Sequence, residues 1–176
     1  NRMTLTAFNQ AYFLSQKQKS GMGRSHYQSY FYPLDGILDW NRMYGPKGFY
    51  QYQLVVPYES GMPAIKAILH EIAVSGQGSF LSVLKTFGDV PSPGLLSFPM
   101  EGLTLALDFP NRGDITLQLF RRIDAIVAEA GGRLYPAKDA RMTEALFTAG
   151  YPHLPEFLPY RDPGLSSGFS KRVMGW

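Results

Sequence analysis

The sequence contains no cysteine. That removes a disulfide frame, a thiolate nucleophile and any cysteine-based metal site from consideration. The absence fits a reducing compartment, so the expected location is cytoplasmic, either free or peripheral to a membrane. No apolar run approaches the roughly 18 residues that a spanning helix needs, and no transmembrane segment is expected. Charge of one sign is scarce. The 17 basic and 14 acidic residues leave a net charge of +3, and the longest basic runs are Arg121-Arg122 and Lys171-Arg172. A surface that tracks phosphates needs more, so nucleic acid is not an expected partner. His26, His70 and His153 are isolated in sequence; each reads as structural or solvated, no general base is obvious and no metal site is predicted. The opening Asn1-Arg2-Met3-Thr4 lacks a secretory pattern. Its start on Asn predicts a piece of a longer protein, or a start that has been left off.

What is present is a chain of 176 residues, 45% hydrophobic, long enough for one domain with a sizeable core. Aromatics reach 14%, with 11 Tyr and 12 Phe. That enrichment suits a surface offered to a ligand or partner, although large cores also use it.

Leu5, Phe8, Tyr12 and Phe13 recur at helical spacing and predict a helix over about 3–17. Gly21-Met22-Gly23 reads as a loop, followed by an aromatic cluster at Tyr27, Tyr30, Phe31 and Tyr32, a turn over Pro33 to Gly36, and a connector over Trp40 to Pro46. An internal repeat comes next. A strand at about 49–57 ends in Pro57, a helix runs over about 61–75, Gly76-Gln77-Gly78 breaks the chain, and a strand at about 79–87 carries Lys85. The same order returns as a strand at about 102–109 ending in Pro110, a helix at about 113–130, a break at Gly131-Gly132, and a strand from Arg133 that stops at Pro136 and leads to Lys138. Ile65, Ile68, Leu69 and Ile72 stripe the first helix, and Leu119, Ile123, Ile126 and Val127 the second. Two such halves describe an α+β fold of ferredoxin-like, double βαβ plan: a mainly antiparallel sheet, with both helices on one face and the other face open. The segment 89–98 is too long for a tight hairpin and reads as a functional loop. A helix is expected over 139–149. The Pro- and Gly-rich tail from Tyr151 is expected to wrap over a surface without forming core, and a short basic helix to end it. Three parts follow: 1–48 as helix and aromatic connector, 49–138 as the double βαβ domain, and 139–176 as C-terminal helix and return segment.

Strand alternation selects the open face. On the first strand Gln51 and Gln53 oppose Tyr50, Tyr52 and Leu54. On the third, Thr104, Ala106 and Asp108 oppose Leu103, Leu105, Leu107 and Phe109, a set that belongs under the helices. The open face is therefore expected to carry Gln51, Gln53, Lys85, Phe87, Thr104, Ala106 and Tyr135, with Lys138 at its edge. Amides, ammoniums, a hydroxyl and an aromatic ring suit a polyhydroxylated or anionic ligand. Taken alone, Lys138-Asp139 reads as a helix start capped by Asp139.

Several segments resemble FAD-linked oxidases of the vanillyl-alcohol-oxidase superfamily, in the branch of decaprenylphosphoryl-ribose oxidases and aldonolactone oxidases. They are Tyr32-Pro33-Leu34-Asp35 with Trp40-Asn41-Arg42, Tyr44 to Phe49 into Gln51-Tyr52-Gln53, Ser79-Phe80-Leu81 to Lys85-Thr86-Phe87-Gly88, Leu96-Ser97-Phe98-Pro99 with Asp108-Phe109-Pro110, and Gly131 to Arg141. The resemblance runs from about residue 27 to the C-terminus. It implies the C-terminal substrate (cap) domain of a flavoprotein whose FAD is held mainly by an N-terminal domain outside these residues. Ser20-Gly21-Met22-Gly23-Arg24 is too short to be a phosphate cradle and lacks the strand-turn-helix context. The implied activity is oxidation of a secondary alcohol of a sugar-like substrate by hydride transfer to the flavin. Lys138 is the implied catalytic residue, hydrogen-bonding the reacting hydroxyl or stabilising charge on the reduced flavin. Gln51, Gln53, Lys85, Phe87, Thr104 and Phe31 are the implied substrate contacts, and Tyr135 with Lys138 the cofactor contacts. Mycobacterial ribose oxidases carry Asn and Cys where this chain has Thr104 and Ala106, so the resemblance implies the oxidation class and not that substrate. The alternative is a non-enzymatic ferredoxin-like module binding a small ligand or RNA, because aromatics on an open four-stranded sheet can stack bases. Its strands lack the aromatic-rich signature of that use.

Overall fold

The computed structural model describes residues 2–19, 21–32, 35–36, 38–79 and 81–175, with the backbone alone for Arg2 and Leu5. Pro33 and Leu34 of the expected turn, and Phe80 of the expected second strand, lie outside the described residues. The chain divides into two compact units, residues 1–43 and 44–176. The first holds α1 (Arg2–Gln18) and the short α2 (Tyr27–Phe31), which the aromatic cluster had not suggested. His26 is the N-cap of α2, its Nδ1 accepting from the Gln28 amide at 3.4 Å.

The second unit is built on β1 (Phe49–Val56), α3 (Tyr58–Ser75), β2 (Ser82–Phe87), β3 (Gly102–Pro110), α4 (Asp114–Glu129) and β4 (Arg133–Leu134). The sheet order is β2-β3-β1-β4, and each neighbouring pair is antiparallel. This is the expected ferredoxin-like arrangement: α3 carries the chain from β1 past β3 to β2, and α4 carries it from β3 past β1 to β4. Alternation along β1 turns Tyr52, Leu54 and Val56 to the helices, and along β3 Leu105, Leu107 and Phe109. Ile65, Ile68 and Ile72 of α3 and Leu119, Phe120, Ile123 and Val127 of α4 close the core over them. Leu69, expected in the α3 stripe, is exposed. Among the described residues no helix is long and apolar enough to cross a membrane.

The helix α3 ends where Gly76 takes φ +67° at its C-cap, with open space around its Cα. A left-handed residue with a Cβ costs about 1–2 kcal/mol. Gly76→Ala should therefore lower the urea midpoint by an amount equivalent to about 1 kcal/mol, without altering the m-value.

The fourth strand, expected to stop at Pro136, ends just before it at Leu134, and three other expectations about the C-terminal third are corrected. Pro136 has no N–H to donate to a ladder, so pairing stops after Leu134, apart from one bond from the Tyr135 N–H to the Gln53 carbonyl at 2.9 Å. A 3₁₀ turn over Pro136–Lys138 follows. The expected helix over 139–149 forms only as α5 (Glu144–Gly150). Asp139 is not its cap: its carboxylate accepts from the amides of Arg141 at 2.8 Å and Met142 at 2.6 Å, a local turn that competes with helix. Thr143 caps instead. Finally, the tail does form core. It adds α6 (Leu154–Phe157) and the basic α7 (Gly168–Met174), and buries Tyr151, Leu154 and Val173 with Met142 and Phe147.

Candidate active site on the helix-free sheet face

The register of the sheet lines up the side chains on the face away from the helices. One row is Val83, Ala106 and Gln53, extended by Tyr135, whose amide bonds to Gln53. The next is Lys85, Thr104, Val55 and Arg133. Gln51 stands opposite Asp108, one pleat further along. Tyr135 and Lys138 are half-buried, Gln51 and Gln53 likewise, and Lys85 is exposed.

Because β4 is so short, half of β1 lacks a strand on that side. The 135–141 segment borders the gap instead and leaves a narrow cleft. Gln51, Gln53, Tyr135 and Lys138 all line it, together with Tyr50, Tyr52 and Arg141. Four of the residues expected at the site are thus brought together. Thr104 sits deeper. It is 1% exposed, and its hydroxyl donates to the Leu54 carbonyl at 2.8 Å while accepting from Gln53 Nε2 at 3.2 Å. It supports Gln53 from below. Phe31 is exposed on the first unit, edge-to-face with Tyr30. His153 pairs with Glu156 on the surface and His70 is exposed.

The face is less open than alternation alone implies. The irregular 88–101 segment folds Phe98 back over it, burying the ring to 5% exposure. Phe98 stacks on Tyr135 at 4.6 Å and meets Phe87 edge-on at 6.1 Å, so the three rings bridge the sheet from β2 to the end of β4. The preference of aromatic pairs for offset and edge geometries holds Tyr135 in one orientation. Arg133, on the same face, is held by the Met100 sulfur at 3.1 Å and the Ser97 carbonyl at 3.2 Å, which anchors the Phe98 segment.

Asp108 was placed on this face by alternation but not counted in the site. It is 2% exposed. Gln51 Nε2 donates to it at 3.2 Å and the Tyr44 hydroxyl at 3.4 Å. Burial pushes its carboxyl up from the ordinary carboxylate range, while the Gln51 bond, the positive charge of Lys138 and the Tyr44 bond pull the other way. Burial, and then the neighbouring Asp108, push the Tyr44 phenol up to about 12, so Tyr44 is a hydrogen-bond donor at neutral pH. The sequence signal for Asp108 was its parity with Thr104 and Ala106. For Phe98 the signal was the Leu96-Ser97-Phe98-Pro99 segment.

Behind the cleft, on the helix side, Arg141 reaches α4. Its two terminal nitrogens grip both oxygens of Asp124, one of them at 2.8 Å, and the Tyr52 hydroxyl donates to the same carboxylate at 2.7 Å. The Arg141 guanidinium lies 5.1 Å from the Phe120 ring centre. Arg172 holds Asp139 at 2.5 Å. The segment bearing Lys138 is pinned to the core at two points just beyond it.

No family model matches the chain. It is 42% identical over 147 residues to decaprenylphosphoryl-beta-D-ribose oxidase of Mycolicibacterium smegmatis, a match that covers 82% of this chain and 31% of that protein. It is also 38% identical over 97 residues to an uncharacterised protein in the mprA 5′ region of Streptomyces coelicolor, covering 55% of this chain and 26% of that one. The chain is thus similar to part of a longer oxidase, and spans less than a third of the length of either curated relative.

Proposed function

We propose that these residues form the substrate-facing cap of an FAD-dependent oxidoreductase that oxidises a secondary alcohol of a sugar-like substrate. The observation that carries this reading is that Gln51, Gln53, Tyr135 and Lys138 all line one narrow cleft at the free edge of β1. The identity to an oxidase over most of the chain supports it.

The donor set fits a flavin and a sugar. Amide, phenol and ammonium donors suit the carbonyls and ring nitrogens of a flavin and the hydroxyls of a sugar, and the Phe98-Tyr135 stack offers an aromatic surface beside them. No glycine-rich phosphate cradle accompanies these groups, so the pyrophosphate of FAD is assigned to an N-terminal domain of the same protein. When bound, FAD supplies the hydride acceptor. Lys138 would donate a hydrogen bond to the reacting oxygen and place positive charge beside it, which favours release of the hydroxyl proton to solvent as the hydride is lost. Gln51 and Gln53 orient the sugar, with Gln53 propped by Thr104. Lys85, exposed two residues from Phe87, binds a peripheral hydroxyl or phosphate, and Phe87 packs against an apolar edge of the substrate.

Expression of the complete reading frame, beside residues 1–176 alone, tests this. The longer protein should purify with a stoichiometric flavin spectrum that bleaches anaerobically when a suitable sugar is added, and the 176 residues should purify colourless. A flavin-free longer protein, or tight flavin retention by residues 1–176, would overturn the assignment.

A further inference from the structure

A primary amide has two ends of opposite hydrogen-bonding sense, a carbonyl oxygen that accepts and a nitrogen that donates. The groups behind Gln51 and Gln53 decide which end each offers the cleft. Gln53 meets Thr104 Oγ1 at 3.2 Å. The Thr104 hydroxyl has one proton, which goes to the Leu54 carbonyl at 2.8 Å, a group that can only accept. Toward Gln53 the hydroxyl is therefore an acceptor, and the amide nitrogen faces inward. Gln51 meets the Asp108 carboxylate at 3.2 Å. A carboxylate has no proton to give, so here too the nitrogen faces inward, while the Tyr44 hydroxyl donates to the second carboxylate oxygen at 3.4 Å. Both amide oxygens are left over: among the described residues neither accepts a hydrogen bond. The two residues share one face of β1, and both line the cleft. The segment bordering the gap brings Tyr135 and Lys138, a phenol and an ammonium that can donate. A group that fits between must give a proton to one side and accept one from the other, as a sugar hydroxyl does. A phosphate or carboxylate oxygen only accepts, and would meet two unpaired carbonyl oxygens.

We propose that Asp108 and Thr104 are positioning residues that set the polarity of the cleft: by holding both amide nitrogens inward they turn Gln51 and Gln53 into a pair of acceptors that takes hydroxyl donors of the substrate. The ligand class rests on the functional reading above, and the amide orientation stands without it.

Neutron diffraction from crystals of the deuterated longer protein reads the orientation directly, because a nitrogen with two deuterons and an oxygen scatter differently. Deuterium should lie between Gln51 Nε2 and Asp108, between Gln53 Nε2 and Thr104, and between Thr104 Oγ1 and the Leu54 carbonyl. Either amide found reversed would overturn the proposal. The ligand class is read with methyl pentofuranosides of ribo, arabino and xylo configuration, whose binding is followed through the flavin spectrum. In the one that binds most tightly, each hydroxyl in turn is replaced by hydrogen or by fluorine, which cannot donate. At the hydroxyl that meets the amides, both replacements should weaken binding about tenfold. In Thr104→Val, which leaves Gln53 able to turn its nitrogen outward, the fluoro analogue should bind better than the deoxy one, and Thr104→Ser, which keeps the hydroxyl, should restore the wild-type order. Fluoro analogues that all bind the wild-type protein as well as the parent sugar would show the amides donating, and would sink the proposal. If the longer protein holds flavin but none of the pentosides binds, the ligand class is wrong. If it purifies without flavin, the functional reading itself fails, and the neutron map decides the amide orientation alone.

Discussion

On the proposed function, Lys138→Met in the longer, FAD-bearing protein should slow flavin reduction by the substrate by about a hundredfold to a thousandfold, while flavin content and the absorbance spectrum of the oxidised enzyme stay unchanged. The magnitude is that of removing one pre-aimed donor from a site where charge develops, about 3–4 kcal/mol. Position is what makes the donor effective. Lys138 closes a 3₁₀ turn, its N–H donating to the Tyr135 carbonyl at 3.1 Å. The next residue, Asp139, is tied to two amides and to Arg172, so the stem of Lys138 starts from a fixed backbone. A fixed origin spares the side chain part of the entropy of finding its partner in the transition state. Substrate affinity should change by less than the rate, since Gln51, Gln53 and Lys85 remain. Rapid-mixing reduction at several substrate concentrations separates the two, and a rate within threefold of wild type would remove Lys138 from the chemistry.

How much of this was legible depends on the range of the forces involved. β1 and β3 were readable because their alternation is local: Gln51 and Gln53 against Tyr52 and Leu54, Thr104 and Asp108 against Leu105 and Leu107. The helices were readable from their stripes, and the break at Gly76 from its dihedral demand. The end of β4 was readable because the double glycine and Pro136 bound it locally. Phe98 was marked only by its segment and Arg133 only as a strand start, and what each touches could not be read. Their places are set by contacts between segments 35 or more residues apart, such as the Phe98-Tyr135 stack and the Arg133-Ser97 bond, and no periodicity encodes those. Thr104 shows the limit of parity: its face was right, but its depth was set by Gln53 and the Leu54 carbonyl. The same applies to Asp108, whose burial depends on Tyr44, 64 residues away.

Asp124→Ala should cost about 3–5 kcal/mol of folding stability, the usual result of removing one partner from a buried ion pair. Asp124 and Arg141 keep only 14% and 18% of their side chains exposed, and Asp124 also accepts the Tyr52 hydroxyl. Burial lowers the affinity of Arg141 for its proton, but the bonds and charge of Asp124 outweigh this and raise it overall. Burial, and then Asp124, drive the Tyr52 phenol well above its ordinary value, so Tyr52 stays a neutral donor. Truncating the carboxylate leaves a guanidinium between the Phe120 and Tyr52 rings without its counter-charge and a buried hydroxyl without its acceptor. Removing the cation as well, in Asp124→Ala/Arg141→Met, should recover a good part of the loss, because the remaining pocket is apolar and the methionine can fill it. Equilibrium urea unfolding of the three proteins measures both steps. A single variant within about 1 kcal/mol of wild type would mean that the pair behaves as an exposed one. The ion pair also matters for the site, since Arg141 lies three residues beyond Lys138 and lines the same cleft. On the proposed function, the residual folded fraction of D124A in the longer, FAD-bearing protein should reduce flavin more slowly than its folded population accounts for.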